Sequence, residues 1–233
     1  MRPTVLLFDI DGTLVSTGGA GRQSIDRAFE LLHGRPDACS HFAFDGMTDR
    51  SIVRLGLQAI GVQPDEASID ALLVRYVTCL ADAVRSVPDD RYIVHEGMRE
   101  AVDAGIAAGM AVGLGTGNVR EGARVKLARV GLFEKFAFGG FGDDHELRPE
   151  LIRRGAERGA ALLGVSLGAA RVVVIGDTPK DVSAAQAIGA ESIGVATGGF
   201  TAEQLRASGA TAVFETLAAA GALEALLLSG ERG

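Results

Sequence analysis

The chain has 233 residues, 47% of them hydrophobic and 23% charged, with 32 glycines, no Trp and a formal net charge of −7. This is a globular composition with enough chain for a full core, and its apolar fraction excludes disorder; glycine at about twice the usual ~7% share, without a Gly-X-Y period, does not make it collagen. The acidic balance excludes a broad basic face for nucleic acid, and no Lys/Arg run is present to hold an anionic membrane.

The first predicted element is a strand, Val5–Phe8, running into Asp9-Ile-Asp11-Gly-Thr13. Its apolar run ends at Asp9, too short for a signal-peptide core, and no apolar stretch approaches the ~20 residues of a membrane span. Between Val15 and about Tyr92 the pattern turns helical, without a convincing strand. Ile25, Ala28, Phe29 and Leu32 keep the spacing of one apolar helix face. A shorter helix is expected from Thr48 to about Ile60. Pro64–Asp65 then opens a longer one carrying Ile69, Leu72, Leu73, Tyr76, Val77, Leu80 and Val84. Cys39 and Cys79 form no CxxC pair and no disulfide framework, which points to a reducing compartment and a cytoplasmic protein.

Beyond Tyr92 short apolar runs alternate with helical patterns. Met110–Leu114 leads into Gly115-Thr116-Gly117-Asn118, and Val172–Ile175 into Gly176-Asp177-Thr-Pro-Lys-Asp181. Ser192–Val195 leads into Ala-Thr-Gly-Gly-Phe, and Ala212–Phe214 into a last Ala/Leu-rich helix. This alternation predicts an α/β fold, a Rossmann-like parallel sheet with helices on both faces. Right-handed crossovers then bring the strand C-termini to one edge, where such folds bind ligands. The expected division is a core of residues 1–15 and 93–233, with 16–92 a helical insertion after the first strand.

The chemistry sits at those strand ends. Asp9 and Asp11 are two like charges close together, which is unfavourable unless a cation joins them or one is protonated. Mg²⁺ suits carboxylate and carbonyl oxygens. By itself an Asp-Gly turn explains the pattern equally well. Thr116 and the amides beside it form a candidate anion site at a helix N-terminus, although a Gly-rich turn is often only tight packing. Asn at position 118 breaks a dinucleotide fingerprint, and no Walker GK[ST] is present. Asp181 suits the start of a helix, or a place behind Asp177 supporting a metal. Arg148 precedes Pro149 at a helix start. Alone it reads as a surface residue; among these carboxylates and a phosphate cradle it has charge to balance.

DxDGTL, TGN, a cation before Pro149 and GDTPxD, in this order and all at strand ends, resemble the haloacid dehalogenase-like (HAD) phosphohydrolase superfamily over essentially the whole chain. The insertion resembles its helical C1 cap, and Thr197-Gly-Gly-Phe200 resembles its phosphoglycolate phosphatase-like branch. The resemblance implies the HAD fold and a Mg²⁺-dependent phosphomonoester hydrolase acting on a small phosphorylated metabolite. It implies that Asp9 is the nucleophile, forming an aspartyl-phosphate, and that Asp11 is the acid and base. Thr116, with the amides near Gly117 and Asn118, would hold the phosphoryl oxygens. Arg148 would stand where Lys is commoner; Lys126 and Lys180 rank below it for that place. Mg²⁺ would be held by Asp9, the Asp11 carbonyl and Asp177, with Asp181 in support.

Asp11 argues against a dehalogenase. The insertion holds no Lys, which excludes a Schiff-base phosphonate hydrolase. A β-phosphoglucomutase-like mutase keeps the same motifs and stays open. A non-catalytic phosphate-binding regulator is disfavoured because Asp9, Asp11 and Asp177 are all present. The expected partner is a small phosphate ester. Its selection is assigned to the insertion, where the loop His41–Arg50 offers Thr48 and Arg50, and Arg22 follows Gly18-Gly-Ala-Gly21 as a further anion contact. Thr48 reads equally as a helix cap.

Overall fold

Thr4-Val-Leu-Leu-Phe8 forms β1 and is buried at every position, as an apolar run must be when both faces of a sheet are covered. In the computed structural model, which describes residues 2–228, the chain continues through β2 (Val15–Ser16), α1 (Ala20–His33), α2 (Asp49–Ala59), α3 (Glu66–Ser86), β3 (Ile93–Val94) and α4 (Met98–Ala107). There follow β4 (Ala111–Gly115), α5 (Arg120–Ala128), β5 (Phe138–Gly140), α6 (Arg148–Leu162), β6 (Arg171–Gly176), α7 (Pro179–Ala187), β7 (Glu191–Val195), α8 (Ala202–Ala207), β8 (Ala212–Phe214) and α9 (Ala222–Leu227). No described helix is long and apolar enough to cross a membrane.

Six strands form one parallel sheet in the order β5-β4-β1-β6-β7-β8. Leu6 of β1 stands opposite Val112 on one side and Val173 on the other. The strand order reverses at β1, so the crevice past its C-terminal end is the switch point where α/β sheets take ligands. Alternate side chains of the central strands feed two cores. Leu6, Phe8, Leu114 and Ile175 pack with α4, α5 and α9, while Val5, Leu7 and Val174 pack with α6 and α7.

Helices α1 to α3 close a third core around Ile25, Phe29, Leu57, Ile69, Leu72, Tyr76 and Leu80. Their starts follow from side chains that supply missing hydrogen bonds. Thr48 caps α2 in a capping box with Ser51, and the Asp65 carboxylate accepts from the Ser68 amide to cap α3. Leu32, expected on the buried face of α1, is 41% exposed, while Ile25, Ala28 and Phe29 are buried as expected.

The five sheet strands expected from sequence are present, with β4 beginning at Ala111 rather than Met110. Three strands were not expected. The two-residue β2 and β3 pair antiparallel and flank residues 17–92, too short to show any periodicity. The third, β5, carries two glycines in three residues, because α6 packs against its backbone: a Cβ on Gly140 would fall 1.9 Å from the Leu151 carbonyl oxygen.

Candidate active site

The loop after β1 turns sharply at Gly12, whose φ of 78° lies in the left-handed region open to glycine. A side chain there would also strike Asp177, whose Oδ2 lies 2.4 Å from the Cβ position. This turn brings Asp9 beside the ends of β4 and β6, with its amide donating to the Ile175 carbonyl at 2.9 Å. Asp9, Asp177 and Asp181 are all buried and offer carboxylate oxygens within 4.8 Å of one another. Thr13 Oγ1 donates to Asp177 Oδ1 at 2.7 Å and fixes that carboxylate.

One cation is buried among these acids. The Arg148 guanidinium lies 2.7 Å from Asp9 Oδ2, and its Nε donates to Asp181 Oδ1 at 2.9 Å. Burial opposes its charge, but Asp181 and Asp9 more than offset that and hold it protonated. Asp181 Oδ2 accepts from the Thr178 amide at 3.1 Å and its hydroxyl at 2.8 Å. Both Asp181 oxygens are therefore engaged in orienting neighbours. Burial pushes Asp9 up to about 6, against the pull of Arg148. It pushes Asp177 up to about 8, helped by the charges of Asp181 and Asp9.

A second network surrounds Asp11. Its Oδ2 accepts from Lys126 Nζ at 2.6 Å and Asn118 Nδ2 at 2.8 Å. Lys126 also donates to Asn118 Oδ1 at 2.6 Å, and Asn118 Nδ2 to Thr116 Oγ1 at 2.9 Å. The helical segment closes directly on this turn. The Asp49 amide donates to the Gly117 carbonyl at 2.8 Å, and Asp49 Oδ2 accepts from the Val119 amide at 2.9 Å. A Cβ on Gly117 would fall 2.2 Å from the Met47 carbonyl oxygen, so only glycine admits this approach. Burial pushes Asp49 up to about 7, with Lys126 opposing.

Both networks open onto one cavity of about 470 Å³ between the sheet edge and α1 to α3. Of the residues expected from sequence, Asp9, Asp11, Gly117, Asn118, Arg148 and Asp177 line it, with Asp181 behind Arg148. Thr116 is fully buried beneath Asn118. Arg22 lines the cavity, but its guanidinium donates to the carbonyls of Cys39 and Phe42 and lies 3.8 Å over the Phe44 ring.

Two expected contacts are placed elsewhere. Thr48 is consumed by capping α2, and its hydroxyl donates to the Glu146 carbonyl at 3.0 Å. Arg50 points away from the cavity to pair with Asp70 and Glu66 on α3, the nearest carboxylates on its side of α2. Conversely, Tyr76, read from sequence as a core residue of its helix, lines the cavity, as do Asp49, which lies in the loop His41–Arg50 without having been singled out, and Lys126, ranked below Arg148 for the cation's place. Lys126 carried a weak signal, as one of only three lysines in the chain.

A parallel sheet with an acidic, cation-balanced centre at its switch point, covered by a helical segment, defines a Rossmann-like α/β protein with a ligand site at the strand C-termini. Residues 3–189 match the haloacid dehalogenase-like hydrolase family, and the chain belongs to it. No curated protein matches the sequence. Several solved structures share the fold. CbbY from Rhodobacter sphaeroides, in complex with phosphate, superposes with a TM-score of 0.71 at 18% identity, covering 98% of this chain and 100% of that one. A hydrolase from Pseudomonas syringae gives 0.66 at 19% identity over 92% and 94% of the two chains. A predicted phosphoglycolate phosphatase from Haemophilus somnus gives 0.64 at 16% identity over 94% and 96%.

Proposed function

We propose that this protein is a Mg²⁺-dependent phosphomonoester hydrolase that works through an aspartyl-phosphate on Asp9. The observation that carries the reading is the buried pairing of Asp9 with Arg148 next to Asp177. A nucleophilic carboxylate is thereby held at the sheet edge with its charge partly balanced, which an anionic substrate requires. The donor set also fits a hard divalent cation, since buried carboxylates lie close together and Asp9 and Asp177 are held above their ordinary range. Asp9, Asp177 and the Asp11 carbonyl would hold Mg²⁺, which neutralises charge and orients the phosphoryl group.

The chain's own groups account for the remaining steps. Asp9 attacks phosphorus in line. Arg148, aimed by Asp181, binds phosphoryl oxygens and keeps Asp9 in place. The amides near Gly117 and Asn118, in the turn that follows Thr116, receive the other oxygens, while the Asn118 side chain spends both Nδ2 hydrogens on Asp11 and Thr116 and so fixes the two relative to each other. Asp11, held by Lys126, protonates the leaving oxygen and then takes a proton from the hydrolytic water. Residues 16–92 act as a cap on a core of 1–15 and 93–233, with β2 and β3 as its hinge. The cavity suits a small phosphorylated metabolite. Free Cys39 and Cys79 accord with a cytoplasmic location.

The test is phosphate release from a panel of phosphorylated metabolites with Mg²⁺, on wild type and Asp9→Asn. Wild type should release phosphate and carry an acid-stable phosphoryl adduct on Asp9 by mass spectrometry; Asp9→Asn should do neither. Isomerised sugar phosphate without free phosphate would overturn the hydrolase reading in favour of a mutase.

A further inference from the structure

The cavity lining contains two polar groups that catalysis does not use. Tyr76 of α3 is 1% exposed and lines the cavity. Its hydroxyl has no hydrogen-bond partner among the described residues, yet no fully enclosed side-chain oxygen there goes unpaired, so the hydroxyl opens into the cavity. Asp49 is likewise buried and cavity-lining. Its Oδ2 is taken by the Val119 amide, and by the same reasoning Oδ1 faces the open space. The apolar Ile25, Phe44 and Ile52 line the same cavity.

The charges on this wall are unsuited to a second anion. Asp45 and Asp49 are both carboxylates on the lining. Lys126 is committed to Asp11 and Asn118, and Arg148 to Asp9 and Asp181. Arg22 is turned onto two backbone carbonyls and the Phe44 face. An acceptor at Asp49 and a donor-acceptor at Tyr76, on a lining whose cations are already paired, match a neutral hydroxyl.

We propose that Asp49 and Tyr76 are specificity-determining residues that select an uncharged, hydroxyl-bearing leaving group and reject esters carrying a second carboxylate or phosphate. This rests on the phosphatase reading above. A site built around a hydroxyl penalises an analogue that lacks it, because buried polar groups are left unpaired. Above about pH 7, where Asp49 is ionised, a carboxylate in the same place also meets its charge.

Glycerol 3-phosphate and 3-phosphoglycerate test this directly, since they differ only in a CH₂OH or a COO⁻ at one carbon; propyl phosphate lacks both groups. For wild type with Mg²⁺ at pH 8, kcat/KM for glycerol 3-phosphate should exceed that for 3-phosphoglycerate by about tenfold or more. Asp49→Asn should shrink this ratio several-fold by removing the repulsion. Tyr76→Phe, which removes only the hydroxyl, should shrink the preference for glycerol 3-phosphate over propyl phosphate. These ratios would not move if either residue were merely structural, because fold defects lower turnover of all three esters alike. Equal use of the three esters overturns the proposal, as does a ratio unmoved by both variants. Preference for 3-phosphoglycerate that is lost in Arg22→Gln assigns the leaving group to Arg22 and also overturns it. No release from these three esters, with release from other members of the metabolite panel, overturns this proposal alone; no release from any member overturns the phosphatase reading together with it.

Discussion

Arg148→Ala removes the cation in contact with the nucleophile. In the native protein its guanidinium touches Asp9 at 2.7 Å and Asp181 at 2.9 Å, and Asp177 lies within the same 4.8 Å cluster of oxygens. Removing one partner of a buried ion pair costs about 3–5 kcal/mol, because the other charge is left buried and unpaired. At about 2–4 °C per kcal/mol for a chain of this size, the metal-free variant should melt roughly 6–20 °C lower. The loss should depend on pH. Asp9 and Asp177 take up protons below about 6 and about 8, and a neutral carboxyl needs no cation, so the penalty should be larger at pH 8 than at pH 5. Circular-dichroism melts in EDTA at the two pH values measure this, alongside phosphate release with Mg²⁺. Activity should fall by two or more orders of magnitude in Arg148→Ala, about 3 kcal/mol or more of transition-state stabilisation. Arg148→Lys should keep much of it. If Arg148→Ala melts like wild type at pH 8 and still turns over, the charge balance argued here is wrong.

Two further outcomes follow from the same site. The metal-free wild type should lose stability as pH rises from about 4 to about 8, since Asp9 and Asp177 bind protons more tightly folded than unfolded; added Mg²⁺ should restore stability most at pH 8. A Tm independent of pH and Mg²⁺ would count against a cation at these carboxylates. Lys126→Met keeps most of the side-chain volume but leaves Asn118 Oδ1 without its donor, at about 1–3 kcal/mol, and frees Asp11 to swing. Its kcat should drop with little change in KM, as expected of a residue that positions Asp11; a raised KM at unchanged kcat would instead make Lys126 a substrate contact.

What was legible in the sequence was local. β1 could be read because Val5–Phe8 is an apolar run that only a sheet covered on both faces can bury. Helix starts could be read at Thr48 and Asp65 because a cap needs only a polar side chain and an amide a few residues ahead. Motif order together with resemblance pointed to Asp9, Asp11, Asp177 and Arg148, since parallel strands deliver their C-terminal ends to one edge whatever lies between.

Tertiary docking decided the rest. Local pattern alone does not separate Arg50, spent on Asp70 and Glu66, from Arg148, buried against Asp9; both sit in the first turn of a helix, and packing determines which carboxylates they meet. Lys126 ranked in sequence only as a weaker candidate for the place of Arg148, yet its long stem carries the ammonium to Asp11, 115 positions earlier in the chain. Asp49 and Tyr76 became cavity residues only when α2 and α3 settled over the sheet edge. Hydrophobic period and capping chemistry act over a few residues and are written in sequence; the partner of a buried charge is chosen by which elements come to rest against each other.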